Sequence, residues 1–254
     1  MTQIYAHRGA RAIAPENTLP AFQAALDVGA AGIELDVQCS QDGELVVMHD
    51  FSVDRTTNGS GKVADFTVAE LRLLDAGSYF APDFAGTRIP TLGEVIDAAG
   101  DQIGLNIELK ASGPPARLVE RTLAVIDAKG FSGRCVISSL SYDALAEVRE
   151  RTRTIPIGYI MAKAVGRPTR LDVDFLSVQE SLATRKLVRN AHRAGMQVHV
   201  WTVNSAESFD RMIDAGVDNV ITDRPEALRA RLGEIRALSP AQRVLLMFRN
   251  RVRS

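Results

Sequence analysis

Apolar and polar positions along this chain follow two alternating periods. Short runs rich in β-branched and aromatic residues recur at Ile4 to His7, Ile33 to Val37, Ile103 to Leu109, Cys135 to Leu140, Ile155 to Ile160, Phe175 to Val178, Val198 to Val203 and Val217 to Ile221, each the length of a strand. Between them the apolar spacing changes to that of one helical face, as in Leu19 to Val28, Thr91 to Ala99, Ala116 to Ala128, Tyr142 to Glu150, Thr184 to Arg193 and Ala206 to Ala215. Most of these stretches end near a glycine able to adopt the left-handed cap conformation. Strand and helix in regular alternation imply parallel strands joined by right-handed crossovers. Eight such units in 254 residues close naturally into a TIM (β/α)8 barrel, with an open doubly wound sheet as the runner-up.

One stretch breaks the rhythm. After the second strand, residues 38–90 supply no barrel strand of comparable quality, so a small insertion is expected there. Within it, Gln41-Asp42-Gly43 is a turn signal ahead of the apolar run Leu45 to Met48, which predicts a hairpin above the barrel. The aromatics Phe51, Tyr79 and Phe80 would either flank the entrance or form a core for the insertion. The expected domain runs over residues 1–238, with Leu228, Leu232, Ile235 and Leu238 spaced as the last barrel helix. Ser239-Pro240 then looks like an N-cap and first helical residue. Residues 239–254 place Val244 to Phe248 among Arg243, Arg249, Arg251 and Arg253, a basic amphipathic tail. It would pack on its own barrel, make a homodimer contact, or touch an anionic membrane surface weakly.

Charge narrows the classes of function. Thirty basic and 31 acidic residues give a formal net charge of −1, and the pI is about 6.4, which offers no bulk attraction for nucleic acid. The two cysteines, Cys39 and Cys135, lie in apolar strand-like segments without paired metal-ligand spacing. They read as buried free thiols and suggest a reducing compartment. The first residues resemble no signal peptide, and no apolar run reaches the ~18 residues of a spanning helix. A cytoplasmic protein without a transmembrane segment is expected.

The polar residues within strands carry the chemical signal. In Ile33-Glu34-Leu35-Asp36-Val37 the acids are two apart, so a strand points both to one face. Asn106, Glu108 and Lys110 repeat the arrangement on the third strand. Buried acids need a counter-charge. Glu34, Asp36 and Glu108 form a hard oxygen set suited to Mg²⁺ or Ca²⁺, the alternative being an ion-pair network with Lys110. His7 ends the first strand and His49 ends the predicted hairpin, so both imidazoles reach the same mouth and can divide two proton transfers. Arg8 presents a planar fork for a phosphoryl group, and Gly9 lets the backbone approach closely. Asn17 or Thr18 reads as a helix N-cap, Glu16 is ambiguous, and His192 reads as a surface residue. His199 remains open, and Trp201 is equally a core residue or a pocket wall.

Taken together and in order, His7-Arg8-Gly9, Pro15-Glu16-Asn17-Thr18, Glu34-Leu35-Asp36-Val37, Val47-Met48-His49-Asp50, Asn106-Ile107-Glu108-Leu109-Lys110 and Trp201-Thr202-Val203-Asn204 resemble the glycerophosphodiester phosphodiesterase family. The likeness runs from Ile4 to Thr222-Asp223-Arg224-Pro225 and includes Asp54-Arg55-Thr56-Thr57-Asn58-Gly59 in the insertion. The resemblance implies a TIM barrel, a divalent metal on Glu34, Asp36 and Glu108, acid/base work by His7 and His49, phosphate contacts from Arg8 and Lys110, and a pocket wall at Trp201. It implies a small-molecule glycerophosphodiester as substrate, with glycerol 3-phosphate and an alcohol as products. Two alternatives are a phospholipase D-like phosphotransferase acting on lysophospholipids and a catalytically silent binding barrel. The second would require loss of an essential group, yet both histidines and all three acids are present.

Overall fold

The computed structural model describes residues 2–163, 166–239 and 242. Nine strands and eight α-helices are found among them: β1 (Gln3–His7), α1 (Leu19–Asp27), β2 (Gly32–Cys39), β3 (Leu45–Val47), α2 (Val68–Leu71), α3 (Leu92–Ala99), β4 (Gly104–Leu109), α4 (Ala116–Ala128), β5 (Cys135–Ser139), α5 (Tyr142–Arg151), β6 (Ile157–Met161), β7 (Phe175–Gln179), α6 (Arg185–Arg193), β8 (Gln197–Trp201), α7 (Ala206–Ala215), β9 (Asn219–Thr222) and α8 (Pro225–Ala237). Eight strands pair in parallel, and β1 bonds both β2 and β9, closing the sheet into a TIM barrel. That closure excludes the open doubly wound sheet. β3 lies outside the barrel, antiparallel to the end of β2, with Val37 opposite Val47 and Cys39 opposite Leu45. It is the expected hairpin.

The local sequence explains where several elements begin. Thr91 and Glu94 form a reciprocal capping box at α3, as do Thr67 and Glu70 at α2, and the hydroxyls of Ser141, Thr184 and Ser205 cap α5, α6 and α7. Each bond satisfies an N–H that the first helical turn leaves unpaired. Strand ends shift by one or two residues from the expected positions. β6 starts at Ile157 rather than Ile155: Pro156 accepts a bond from the Ile137 N–H but has no N–H to return.

The main core lies between the strands and the surrounding helices, where Leu35, Leu105, Ile107, Ile137, Leu176, Val198 and Phe209 are fully buried. A separate small core holds the segment between β3 and α3, built from Val46, Met48, Val53, Val63, Leu71, Ala76 and Ile89. Inside the barrel, His199 is 4% exposed and stacks on Phe175 at 4.2 Å between ring centroids. A side chain at Gly158 would strike that Phe175 ring, so glycine there makes room for the stack. Burial depresses the His199 pKa to about 4, leaving a neutral ring in the barrel's packing. His192 bonds Asp218 on a surface helix. Cys135 is a buried free thiol as expected, but Cys39 is only half-buried.

No helix among the described residues is long and apolar enough to cross a membrane. At the end of α8, the Ser239 N–H donates to Gln242 Oε1 and the Gln242 N–H to Ser239 Oγ, the reciprocal pairing of a helix start. The rest of the basic tail, including Val244 to Phe248 and the proposed dimer or membrane contact, lies outside the described residues.

Candidate active site

Strand register assembles the site. His7 on β1 lies opposite Glu34 on β2, while Glu34 and Asp36 lie opposite Asn106 and Glu108 on β4. Because side chains alternate along a strand, the acids of both strands share the inward face at the C-terminal mouth. Ligand oxygens of Glu34, Asp36 and Glu108 fall within 4.8 Å of one another. Glu34 and Asp36 are buried, and the Glu108 side chain is 12% exposed. A cavity of about 160 Å³ opens above them, and its lining includes His7, Arg8, His49, Lys110 and Trp201.

Two cations oppose the acids. Lys110 Nζ lies 3.0 Å from Glu108 Oε1 and 3.6 Å from Asp36 Oδ1. The Arg8 N–H donates to Glu34 Oε2, its Nη1 donates to Glu16 Oε1, and its Nε lies 3.3 Å from Asp36 Oδ2. The ion-pair network anticipated as the alternative reading is therefore present, but it does not saturate the acids. Asp36 Oδ1 is buried without a hydrogen bond. Burial, followed by the charges of Asp36 and Glu108, pushes Glu34 well above the usual carboxylate range, while burial and Asp36 raise Glu108 to about 7. Three crowded hard oxygens, one of them orphaned, suit a small divalent cation.

Each candidate histidine is held from behind. His7 Nδ1 lies 2.7 Å from Asp223 Oδ1, and His49 Nδ1 lies 2.6 Å from Asp50 Oδ1. A carboxylate can only accept, so Nδ1 carries the proton in each neutral ring and Nε2 keeps its lone pair. Burial lowers both histidine pKa values, against the raising effect of the Asp223 bond at His7 and of the Asp36 charge at His49. Both rings thus favour the neutral, proton-accepting state at neutral pH.

The segment between β1 and α1 corrects one expectation. Thr18 occupies the N-cap position of α1, but its hydroxyl donates to Pro15 O and caps nothing. Asn17, in the left-handed region at φ 56°, instead sends its Nδ2 to Asp36 Oδ2. Asp36 takes the amide because a buried carboxylate needs a donor, while Pro20 in the first turn of α1 has no N–H to be capped. Arg8 is also left-handed, and a Cβ at Gly9 would lie 2.7 Å from the Ala21 backbone, so the close approach that glycine permits there is to helix α1. Glu16 becomes a hub: Arg8 and Arg55 bond it, Arg11 lies 3.3 Å away, and its pKa falls to about 2. Arg55 also grips Asp50, tying the insertion to both His49 and Arg8.

Trp201 lines the cavity, its Nε1 donating to Ser177 O. The insertion aromatics do not form the insertion's core. Phe51, Tyr79 and Phe80 belong neither to the small core nor to the cavity lining. Tyr79 Oη instead accepts from the Glu16 N–H, and Phe51 lines an adjoining groove. Local sequence pattern assigns no role to Asp50, Asp223 or Arg55. Only Asp50, directly after His49, carried a local signal.

Raised acid pKa values set a pH window. A carboxyl with a higher pKa folded than unfolded favours the fold fully below its unfolded value, and that contribution is lost as pH rises through the folded value. For Glu108 the window runs from about 4.5 to about 7. A cation that requires ionised ligands reverses the loss. The gap in Tm between cation-loaded and metal-free protein is therefore expected to widen across this window. Thermal scans with Mg²⁺ or EDTA at several pH values check it, and a pH-independent gap refutes it.

Comparison with known proteins agrees with this geometry. Residues 7–227 match the model of the glycerophosphoryl diester phosphodiesterase family. A glycerophosphodiester phosphodiesterase from Caldanaerobacter subterraneus subsp. tengcongensis is 42% identical over 234 residues, covering 89% of this chain and 96% of that protein. One from Bacillus subtilis is 32% identical, covering 87% and 83%. Among solved structures, an Oleispira antarctica phosphodiesterase in complex with the product sn-glycerol-3-phosphate superposes with a TM-score of 0.85 at 30% identity, covering 92% of this chain and 97% of that one. With the family match running from His7 past Asp223 and close relatives aligned over nearly their full length, the chain belongs to the glycerophosphoryl diester phosphodiesterase family and is a phosphoric diester hydrolase.

Proposed function

We propose that the protein hydrolyses glycerophosphodiesters to glycerol 3-phosphate and an alcohol, with His7 and His49 exchanging protons and Glu34, Asp36 and Glu108 holding Mg²⁺ or Ca²⁺. The observation that carries this reading is the pair of imidazoles, each oriented by a carboxylate on Nδ1, in one cavity with three crowded acids. When bound, the divalent cation supplies positive charge for phosphate and glycerol oxygens and makes the glycerol 2-hydroxyl more acidic.

The residues then divide the work. One histidine, neutral, takes the proton of the 2-hydroxyl through Nε2 as that oxygen attacks phosphorus; the other, having first taken a proton from solvent on Nε2 in a charged form that its Nδ1 carboxylate partner stabilises, gives that proton to the departing alkoxide. The product of this half-reaction is a cyclic phosphate. The roles reverse as water adds to phosphorus: the second histidine accepts the water proton, and the first returns its proton to the 2-oxygen. Arg8 and Lys110 offset the charge that builds on the phosphoryl oxygens. Trp201 walls the glycerol side, while Asp223 and Asp50 stabilise whichever imidazole is charged.

The test is glycerol 3-phosphate release from a panel of glycerophosphodiesters with Mg²⁺, Ca²⁺ or EDTA. Arrest at the cyclic phosphate would instead mark a phosphotransferase. Because the tail lies beyond the last strand and carries no residue of the matched motifs, deletion of Ser239 to Ser254 is expected to leave kcat on a soluble substrate within a few-fold. Loss by orders of magnitude in a folded truncation would show that the tail helps build the site. Sedimentation and vesicle binding of the same truncation test the proposed dimer and membrane contacts.

A further inference from the structure

The cavity between the histidines, at about 160 Å³, is below the ~300 Å³ at which pockets for drug-sized ligands begin. It suits the phosphoglycerol half of a diester, and the second alcohol must extend beyond it. A groove of about 520 Å³ opens alongside, and Lys110 lines both spaces. Its walls come from the end of β2, from the insertion through Phe51 and Lys62, and from the loop leading into α4, which carries Arg117. Phe51 is 46% exposed and offers an apolar face toward the groove.

Charge along this groove has one sign. Lys62, Lys110 and Arg117 line it and no acid does. Lys62 and Arg117 are exposed, and neither forms an ion pair with a described residue. Asp42, close enough to feel Arg117, commits its Oδ1 to the Ser40 hydroxyl and the Val68 N–H. The opening on the other side of the cavity, beside Thr202, mixes Arg11 and Arg224 with Glu180 and Asp223, so it has no comparable preference.

On the glycerophosphodiesterase reading above, we propose that this groove receives the leaving alcohol, and that Lys62 and Arg117 select alcohols bearing a negative charge over those bearing an ammonium group. Exposed cations act weakly and are screened within about 8 Å at physiological salt. The selection is therefore a matter of several-fold per charge and declines with ionic strength.

The experiment compares kcat/KM for three diesters: bis(glycerophospho)glycerol, whose leaving group is anionic; glycerophosphoglycerol, neutral; and glycerophosphocholine, cationic. In the double variant Lys62→Glu/Arg117→Glu the anionic-to-cationic ratio is expected to fall by ~10-fold, with the neutral substrate changed by less than about 3-fold. High salt is expected to compress the wild-type ratio. A ratio that stays within about 3-fold of wild type in the folded variant overturns the proposal, as does an equal loss on the neutral substrate. If the charge reversal prevents folding, Lys62→Gln/Arg117→Gln is used instead; its ratio is expected to fall by ~3-fold, and an unchanged ratio overturns the proposal. Failure of the wild type to release glycerol 3-phosphate from any of the three would reject the parent reading, a result distinct from lost selectivity.

Discussion

Replacing His7 or His49 by alanine is expected to lower kcat by at least ~10²-fold while leaving the barrel folded, as for a positioned acid or base. The structure indicates why folding survives. Removing the His7 ring leaves Asp223 bonded to Asn204 Nδ2 and 3.6 Å from Arg11, and removing His49 leaves Asp50 bonded to Arg55. Neither change strands a buried carboxylate. Circular dichroism and thermal melts check the fold, and near-wild-type turnover in either folded variant rejects that residue's role. A 4-nitrophenyl leaving group separates the two functions, because its departure needs no proton. The variant whose deficit shrinks on that substrate has lost the acid, and the other has lost the base.

Metal removal is expected to have the second large effect. EDTA should reduce turnover by ~10³-fold or more, the scale of several kcal/mol of lost charge stabilisation, and Mg²⁺ or Ca²⁺ should restore it. In the metal-free site Lys110 and Arg8 face three acids, and burial together with the neighbouring carboxylate charges raises Glu34 and Glu108, which favours proton uptake there. Binding a cation must expel those protons. Calorimetric titration in two buffers of different ionisation enthalpy should therefore detect proton release below pH 7, independently of activity. Full activity in metal-free protein would contradict the assignment, and binding without proton release would contradict the charge account.

The sequence made the strands and the acids legible for one physical reason. In Glu34-Leu35-Asp36 the two-residue period assigns a face without any knowledge of neighbours, and β2 places both acids on that inward face beside Glu108. What stayed hidden depends on distant parts of the chain. His7 and Asp223 are 216 positions apart and meet only because β9 closes the barrel against β1. Arg55 reaches Glu16 across 39 positions, through an insertion whose path no periodicity describes. Thr18 failed as a cap, and Asn17 turned to Asp36, because tertiary demand for a donor outweighed local preference. Phe51, Tyr79 and Phe80 could be read as apolar, but they are exposed because the insertion's core is filled by other residues, Val53, Val63 and Leu71 among them.

The most direct test of the proposed chemistry is hydrolysis of a glycerophosphodiester in ¹⁸O-labelled water by the Mg²⁺- or Ca²⁺-loaded protein, with both products analysed by mass spectrometry. Attack at phosphorus followed by opening of a cyclic phosphate predicts glycerol 3-phosphate carrying one labelled oxygen on phosphorus, beside an unlabelled alcohol. Label in the alcohol, or a cyclic phosphate that accumulates without hydrolysis, would contradict it.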